Sequence, residues 1–313
     1  MRTFELTYPH NLEVMNIPET VTAIGFFDGV HRGHQKVIKS AIMEAKERKM
    51  ESAVITFHPH PSVVLRKGNH QVKYITTMKE KTRIIKELGV DRLYIIEFSK
   101  ELSKLSPQEF IDHFIIGLNI KHLVAGFDYT FGHKGSGNMM NISNYSREAF
   151  TYTTIAKVMS ENDKVSSTRI RKLLEDGEVE EANYLLNRPF RLDGLVIKGD
   201  QRGREIGYPT ANLKVDPDLL LPKQGIYAVK VLYNNEILNG MANIGTNPTF
   251  TEDKEDLSVE VNILDYKKEL YGEELTVEWY KFMRDEEKFD SVQELIDQID
   301  MDEKNIRNYF AER

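Results

Sequence analysis

The 313-residue sequence contains no cysteine. Disulfides, thiolate metal sites and a cysteine nucleophile are therefore excluded, and nothing calls for an oxidising compartment. It also lacks any apolar run near the roughly 20 residues that a helix needs to span a bilayer. The opening residues, Met1-Arg2-Thr3-Phe4-Glu5, do not have the basic-then-apolar pattern of a secretion signal. A cytoplasmic protein with no membrane partner is expected. Positive charge is not in excess: 42 Lys and Arg stand against 49 Asp and Glu, a net charge of −7. This balance argues against a nucleic-acid binder, whose signature is a basic face. It leaves anionic small substrates open, because a few Lys, Arg or Mg²⁺ neutralise phosphate locally. With 40% hydrophobic and 29% charged residues, a chain of this length suits two modest globular domains.

What is present falls into two patterns. Residues 21–25, 53–57, 93–98 and 122–125 read as strands, and 35–49, 80–88 and 106–117 between them read as helices. Ser106-Pro107-Gln108-Glu109 opens the last of these as a capping box with Pro at the first helical position. Such alternation predicts an α/β domain of Rossmann-like type, a parallel sheet wrapped by helices. Ligands of such sheets bind beyond the carboxyl ends of the strands. A helix capped by Ser166-Ser167-Thr168 and running through Glu175 is expected, then another at 179–186, after which the pattern changes. Short strands at 192–197, 226–233, 238–244, 257–263 and 275–282, separated by Gly, Pro, Asn and Asp turns, predict a small closed β-barrel. Residues 292–309 return to helical spacing. The domain boundary is placed at 186/187, giving domains 1–186 and 187–313.

The first chemical motif lies between the first strand and the first helix: Gly25-Phe26-Phe27-Asp28-Gly29-Val30-His31-Arg32-Gly33-His34. Gly33 lets a phosphate approach the backbone, and the helix N-terminus offers N–H donors and partial positive charge. Two imidazoles at this spacing suit a triphosphate; the alternatives are a zinc pair or ordinary turn histidines. Three more segments fall at strand ends or helix starts: Thr56-Phe57-His58-Pro59-His60-Pro61, Gly126-Phe127-Asp128-Tyr129-Thr130-Phe131-Gly132 and Val165-Ser166-Ser167-Thr168-Arg169-Ile170-Arg171.

Together these signatures, over about residues 20–170, resemble the adenylyltransferase module of the bacterial bifunctional riboflavin kinase/FMN adenylyltransferase (FAD synthetase) family. The resemblance implies that His31, His34, Asp128, Ser167, Thr168 and Arg171 line a site for ATP and FMN. Gly25, Asp28, Gly33, His58 and Pro59 belong to the same motifs and are assigned to nucleotide or flavin binding with them; His31, His34 and Arg171 are assigned to catalysis. Two positions depart from the family pattern: Phe26, where many members carry Asn, and Gly135, where many carry a basic residue. In adenylyl transfer the nucleophile is the FMN phosphate, anionic near neutral pH because its second pKa is about 6. No general base is needed, only alignment and charge neutralisation at the ATP α-phosphate.

In the second half, Gly194 and Gly199 have P-loop spacing, but Asp200 stands where that loop requires Lys. The segment 199–212 carries Gly199, Gly203 and Gly207, then Tyr208-Pro209-Thr210-Ala211-Asn212. If it is extended, Thr210 and Asn212 share a face and could offer two neutral oxygens to Mg²⁺; a glycine-rich hairpin is the alternative. Gly-Arg-x-x-Gly followed by Pro-Thr-Ala-Asn resembles the flavokinase module. So do Asn243-Ile244-Gly245-Thr246-Asn247-Pro248-Thr249, Ser258-Val259-Glu260-Val261, Tyr271-Gly272, Arg284 and Phe289. This resemblance covers residue 189 to the C-terminus. It implies a six-stranded barrel, Thr210 and Asn212 at Mg²⁺ that arrives with ATP, and Glu260 as catalytic base. Gly199, Arg204, Gly207 and Arg284 are assigned to substrate binding, and Asn262 stands where many members carry His. Riboflavin, FMN, FAD and ATP are the implied ligands. The rival expectations are a single live site, or flavin binding without turnover.

Overall fold

The computed structural model describes residues 1–65, 72–160, 163–199, 202–246 and 257–312. Its chain forms two units, Met1–Ser167 and Thr168–Arg313. In the first unit six strands run parallel in the order β1 (Arg2–Leu6), β4 (Arg92–Glu97), β3 (Glu51–His58), β2 (Thr20–Ile24), β5 (Ile120–Gly126) and β8 (Thr151–Ile155). Short ribbons β6 (Thr130–Phe131) with β7 (Gly137–Asn138), and β9 (Met159–Ser160) with β10 (Asp163–Lys164), follow β5 and β8.

The helices that flank this sheet start where their caps dictate. In α1 (Arg32–Arg48) the His31 ring caps the first turn, and Val37, Ile38, Ala41 and Ala45 form the buried stripe. A short α2 (Pro61–Leu65) precedes α3 (Met78–Glu87), which is capped by Thr77 and buries Lys81, Ile84 and Ile85. Ser106 and Glu109 form the expected capping box of α4 (Pro107–Ile111). The helix does not continue regularly to 117. It widens into a π turn at Asp112–Ile116, closed by the bond from Gly117 N–H to the Asp112 carbonyl at 2.8 Å.

Alternation along the strands splits the apolar residues between two cores. Val21, Ala23, Val54, Leu93 and Val124 meet α1 and the Ile84–Ile85 face of α3. Ile24, Ile55, Ile96, Leu123 and Ala125 meet Phe110 and Phe114 on the other side. The strand order reverses between β2 and β5, and all three motif segments that follow β2, β3 and β5 leave the sheet at its carboxyl edge.

The second unit is a closed barrel in the order β11 (Phe190–Ile197), β12 (Ala211–Val215), β15 (Leu257–Ile263), β14 (Glu236–Thr246), β13 (Gly225–Tyr233) and β16 (Glu274–Arg284). Every neighbouring pair is antiparallel. Leu192, Val196, Leu213, Tyr227, Val261 and Trp279 are among the side chains that fill it. Three helices, α5 (Ser167–Asp176), α6 (Val179–Leu186) and α8 (Val292–Ala311), and the single turn α7 (Arg202–Glu205) accompany the strands. Asn183 on α6 donates to the Trp279 carbonyl at 2.7 Å and accepts from Phe190 N–H at 2.6 Å. The Leu174 carbonyl of α5 accepts from Lys223 N–H at 2.9 Å. Residues 168–186 thus belong to the barrel's unit, although the change of pattern in the sequence comes after them.

Candidate functional site

At the end of β2 the chain turns sharply into α1. Phe27 (φ 54°) and Val30 (φ 40°) both sit in the left-handed region, which a β-branched residue avoids. The turn is held from several sides. The Phe26 carbonyl accepts from Thr56 Oγ1 at 2.8 Å and from Lys81 Nζ at 2.9 Å. Asp28 is buried, and its carboxylate accepts from the backbone N–H groups of Ile75 at 3.0 Å and Thr76 at 3.3 Å. Gly29 N–H donates to Thr76 Oγ1, and Ser167 Oγ donates to the Asp28 carbonyl at 2.9 Å.

Within this turn His31 and His34 stack, with ring centroids 3.6 Å apart and planes 17° from parallel. His31 Nδ1 accepts from His34 N–H at 3.2 Å, so it carries no proton and the hydrogen of that ring sits on Nε2. Burial, and then the nearby His31, Lys81 and Lys164, push the His34 pKa well below the ordinary histidine value. His34 Nδ1 is buried with no hydrogen-bond partner. His34 is therefore held neutral, and the pair cannot supply two positive charges to a phosphate before it binds. Gly33 lies under the His31 ring: a Cβ there would come within 3.1 Å of His31 Cε1. Gly25 is similarly close to the Phe27 ring.

The other expected residues of this half fall nearby or along α5. His58 ends β3, Pro59 follows it, and the His58 ring lies 6.1 Å from that of Tyr74. Phe26, the departure from the family pattern, packs edge-on to His60 at 4.5 Å. Asp128 follows β5 and pairs with Lys164, whose Nζ stands 4.8 Å above the Phe127 ring. Thr168 and Arg171 continue α5 into the second unit. Gly135 adopts φ 67°, a conformation that a basic side chain there would strain.

In the second unit the strand register makes the site. Asn212 on β12 stands opposite Glu260 on β15, and Glu260 opposite Asn243 on β14. Residues directly opposite share a face, so the three side chains form one row on the outside of the barrel. Thr210 Oγ1 donates to Glu260 Oε2 at 3.0 Å. Gly199 backs onto this row: a Cβ there would lie 2.4 Å from Asn212 Nδ2. Asn262 donates to the Pro209 carbonyl at 2.8 Å, tying β15 to the segment that carries Thr210. Beside the row opens a cleft of about 490 Å³, lined by Arg204, Gly207 and Thr210 on one side, 261–271 on another, and Glu303 and Arg307 of α8. Arg204 is exposed and lies 3.4 Å from Glu269. Arg284 commits its guanidinium to buried Asp302 of α8, at 2.8 Å from Nη2. Asp200, Gln201 and Asn247-Pro248-Thr249 lie outside the described residues.

Known proteins match both halves. The family model for FAD synthetase matches residues 14–169, and that for riboflavin kinase matches residues 186–310. A bifunctional riboflavin kinase/FMN adenylyltransferase of Listeria monocytogenes is 47% identical over 311 residues, covering 99% of each chain. The chain belongs to the bifunctional riboflavin kinase/FMN adenylyltransferase family. The Bacillus subtilis member of that family is 44% identical over 312 residues, again covering 99% of each chain. A crystal structure described as a macrolide-efflux protein from Streptococcus pneumoniae superposes with a TM-score of 0.89 at 37% identity, covering 98% of this chain and 99% of that one. Its description is not carried over, because both family models and the full-length relatives agree on flavin chemistry. Among the described residues no helix is long and apolar enough to cross a membrane.

Reading the family's motifs did not reveal Lys81, Lys164 or the Arg284–Asp302 pair. Lys81 had a signal available: it occupies the apolar stripe of α3 with Ile84 and Ile85, where a cation is out of place.

Proposed function

We propose that this chain runs its family's two reactions at two sites, one in each unit, with the following division of labour. In the kinase reaction the ribityl 5′-hydroxyl oxygen of riboflavin attacks the γ-phosphorus of ATP. Its proton passes to Glu260, ADP leaves, and FMN is the product. A neutral hydroxyl is a poor nucleophile, so a positioned carboxylate contributes about 10²–10⁴-fold. Thr210 holds Glu260 from one side, and Asn212 stands beside it in register. Thr210 and Asn212 offer neutral oxygens on one face beside Glu260, which fits a Mg²⁺ ion that enters with ATP. That ion would neutralise charge on the phosphates. The adjoining cleft, with Arg204 and Gly207 at its rim, suits the nucleotide.

In the second reaction an FMN phosphate oxygen attacks the α-phosphorus of ATP, the bond to the β-phosphate oxygen breaks, and FAD and pyrophosphate form. The nucleophile is already anionic. The task is orientation, for which the Gly25–His34 turn, the α1 N-terminus, Asp128 and Ser167 are assigned to binding. His31 and His34 are assigned to the phosphates, His34 as a neutral hydrogen-bonding ring. Thr168 and Arg171, which lie in the second unit, are assigned with them on the family's motif alone. His58 and Pro59 are assigned to the nucleotide. An enzyme that consumes ATP twice belongs in the cytoplasm.

The observation that carries this reading is that the histidine turn is stitched together within the first unit, while Thr210, Asn212 and Glu260 gather in one row within the second. Chromatography of products from riboflavin, ATP and Mg²⁺ tests it. FMN followed by FAD is expected. FMN alone, or neither product, would contradict it.

A further inference from the structure

Lys81 is almost fully buried, yet it faces the start of the adenylyl-transfer motif rather than solvent. Its Nζ donates to the Phe26 carbonyl at 2.9 Å and lies 4.4 Å from the centroid of the Phe26 ring. That carbonyl already has a second donor in Thr56 Oγ1. A buried ammonium is therefore not required to satisfy it, and an apolar residue would be the cheaper neighbour for Ile84 and Ile85. What the position does provide is a grip on the turn. Phe26 is followed at once by Phe27, whose φ is positive, and then by Asp28, which is bound to the backbone just ahead of α3. Lys81 of α3 and the backbone just ahead of that helix thus brace the turn at two points.

We propose that Lys81 is a positioning residue for adenylyl transfer: it fixes the turn that carries His31 and His34 and supplies, from beneath that turn, positive charge for the phosphates of ATP. The proposal rests on the assignment of adenylyl transfer to the first unit. Its electrostatics agree with the geometry. Burial pushes the Lys81 pKa down to about 8, against an opposing pull from Asp28. Lys81 in turn helps to hold His34 neutral. Asp28 acts on Lys81, while Lys81, His31 and Lys164 act on His34, and His60 and Tyr74 flank the Phe26 ring. The site therefore loses an interior charge as the pH rises through about 8.

The test follows FAD formation from supplied FMN, with thermal melting and FMN formation from riboflavin as controls. In the wild type, kcat/KM should decline above the pH at which Lys81 deprotonates. Lys81→Met should melt no lower than the wild type, because a desolvated charge has been removed. It should nevertheless lose roughly 10- to 100-fold in FAD formation, somewhat less than the loss of a donor in direct contact. It should also lack the alkaline decline and keep its FMN formation. Lys81→Arg, cationic throughout, should recover most of the rate and stay flat in alkali. If Lys81→Met does not fold, Lys81→Gln, which can still donate to the Phe26 carbonyl, carries the same readouts. A folded Lys81→Met or Lys81→Gln with the wild-type rate and pH profile overturns the proposal. So would rate and stability falling together with the pH profile unchanged, which is the mark of a purely structural bond. A wild type that makes no FAD at all would instead refute the assignment of the reaction.

Discussion

Replacing Asp302 with alanine strands a guanidinium. Arg284 reaches the Asp302 carboxylate with Nε at 3.0 Å to both oxygens and with Nη2 at 2.8 Å. The Asp302 side chain is 4% exposed and that of Arg284 17%. Removing one partner of such a pair costs about 3–5 kcal/mol, chiefly because the other charge stays buried. Arg284 keeps its bond to the Asp285 carbonyl and some contact with water, so the lower end, about 3 kcal/mol, is expected. For a unit of this size that lowers the melting temperature by about 10 °C. Asp302→Asn, which retains an acceptor, should lose about half as much. Because Glu303 and Arg307 of the same helix line the cleft, riboflavin phosphorylation should weaken as well. Calorimetry of the full chain should show the barrel transition moving and the first unit's staying in place. A shift under about 2 °C in Asp302→Ala would refute the argument that this pair pins α8 to the barrel.

A fragment of residues 168–313 should fold and make FMN, whereas 187–313 should be much less stable, since it loses Asn183 and the buried Leu174, Val179, Ala182, Leu185 and Leu186; equal melting of the two would contradict this. Acid should weaken the first unit selectively. Burial and neighbouring cations lower the pKa of His34 and His122, so the folded state resists a proton that the unfolded chain accepts near pH 6.5. Their contribution is complete above that pH and is lost below it. All nine histidines precede residue 168, so the barrel serves as control, and melting of the first unit that is flat from pH 7.5 to 5 would be the contrary result. Gly199→Ala should displace Asn212 and slow FMN formation while FAD formation from FMN is unchanged, which separate assays would check.

Most strands and helices with two packed neighbours were legible in the sequence, but β12, flanked by β11 and β15, was not among the expected strands. β2 to β5 are mostly apolar because both faces of the sheet are covered, and α1 and α8 show helical spacing. The edge strands β1 and β8 were not legible: each has one neighbour, and Thr151-Tyr152-Thr153-Thr154 is mostly exposed, so no apolar pattern marks it. The π turn at Asp112–Ile116 leaves no trace in spacing of that length. Motifs placed His31, His34, Thr210, Asn212 and Glu260 at the ends and rows where the fold gathers them. They said nothing of long-range partners, which depend on tertiary contacts: Asp28 with Ile75 and Thr76, Lys81 with Phe26, Asn262 with Pro209, Arg284 with Asp302. Lone charges on apolar stripes, such as Lys81, are where such partners should be sought.

The claim that the two reactions use separate machinery is tested most directly by two substitutions in the full chain, each assayed for FMN formation from riboflavin and for FAD formation from supplied FMN. Glu260→Gln keeps an oxygen for Thr210 but cannot take the hydroxyl proton. It should lose about 10²–10⁴-fold in FMN formation and leave FAD formation intact. His31→Ala should do the reverse, since the FMN phosphate needs orientation and no base. Loss of both activities in a folded Glu260→Gln protein would contradict the account and point to a single shared site.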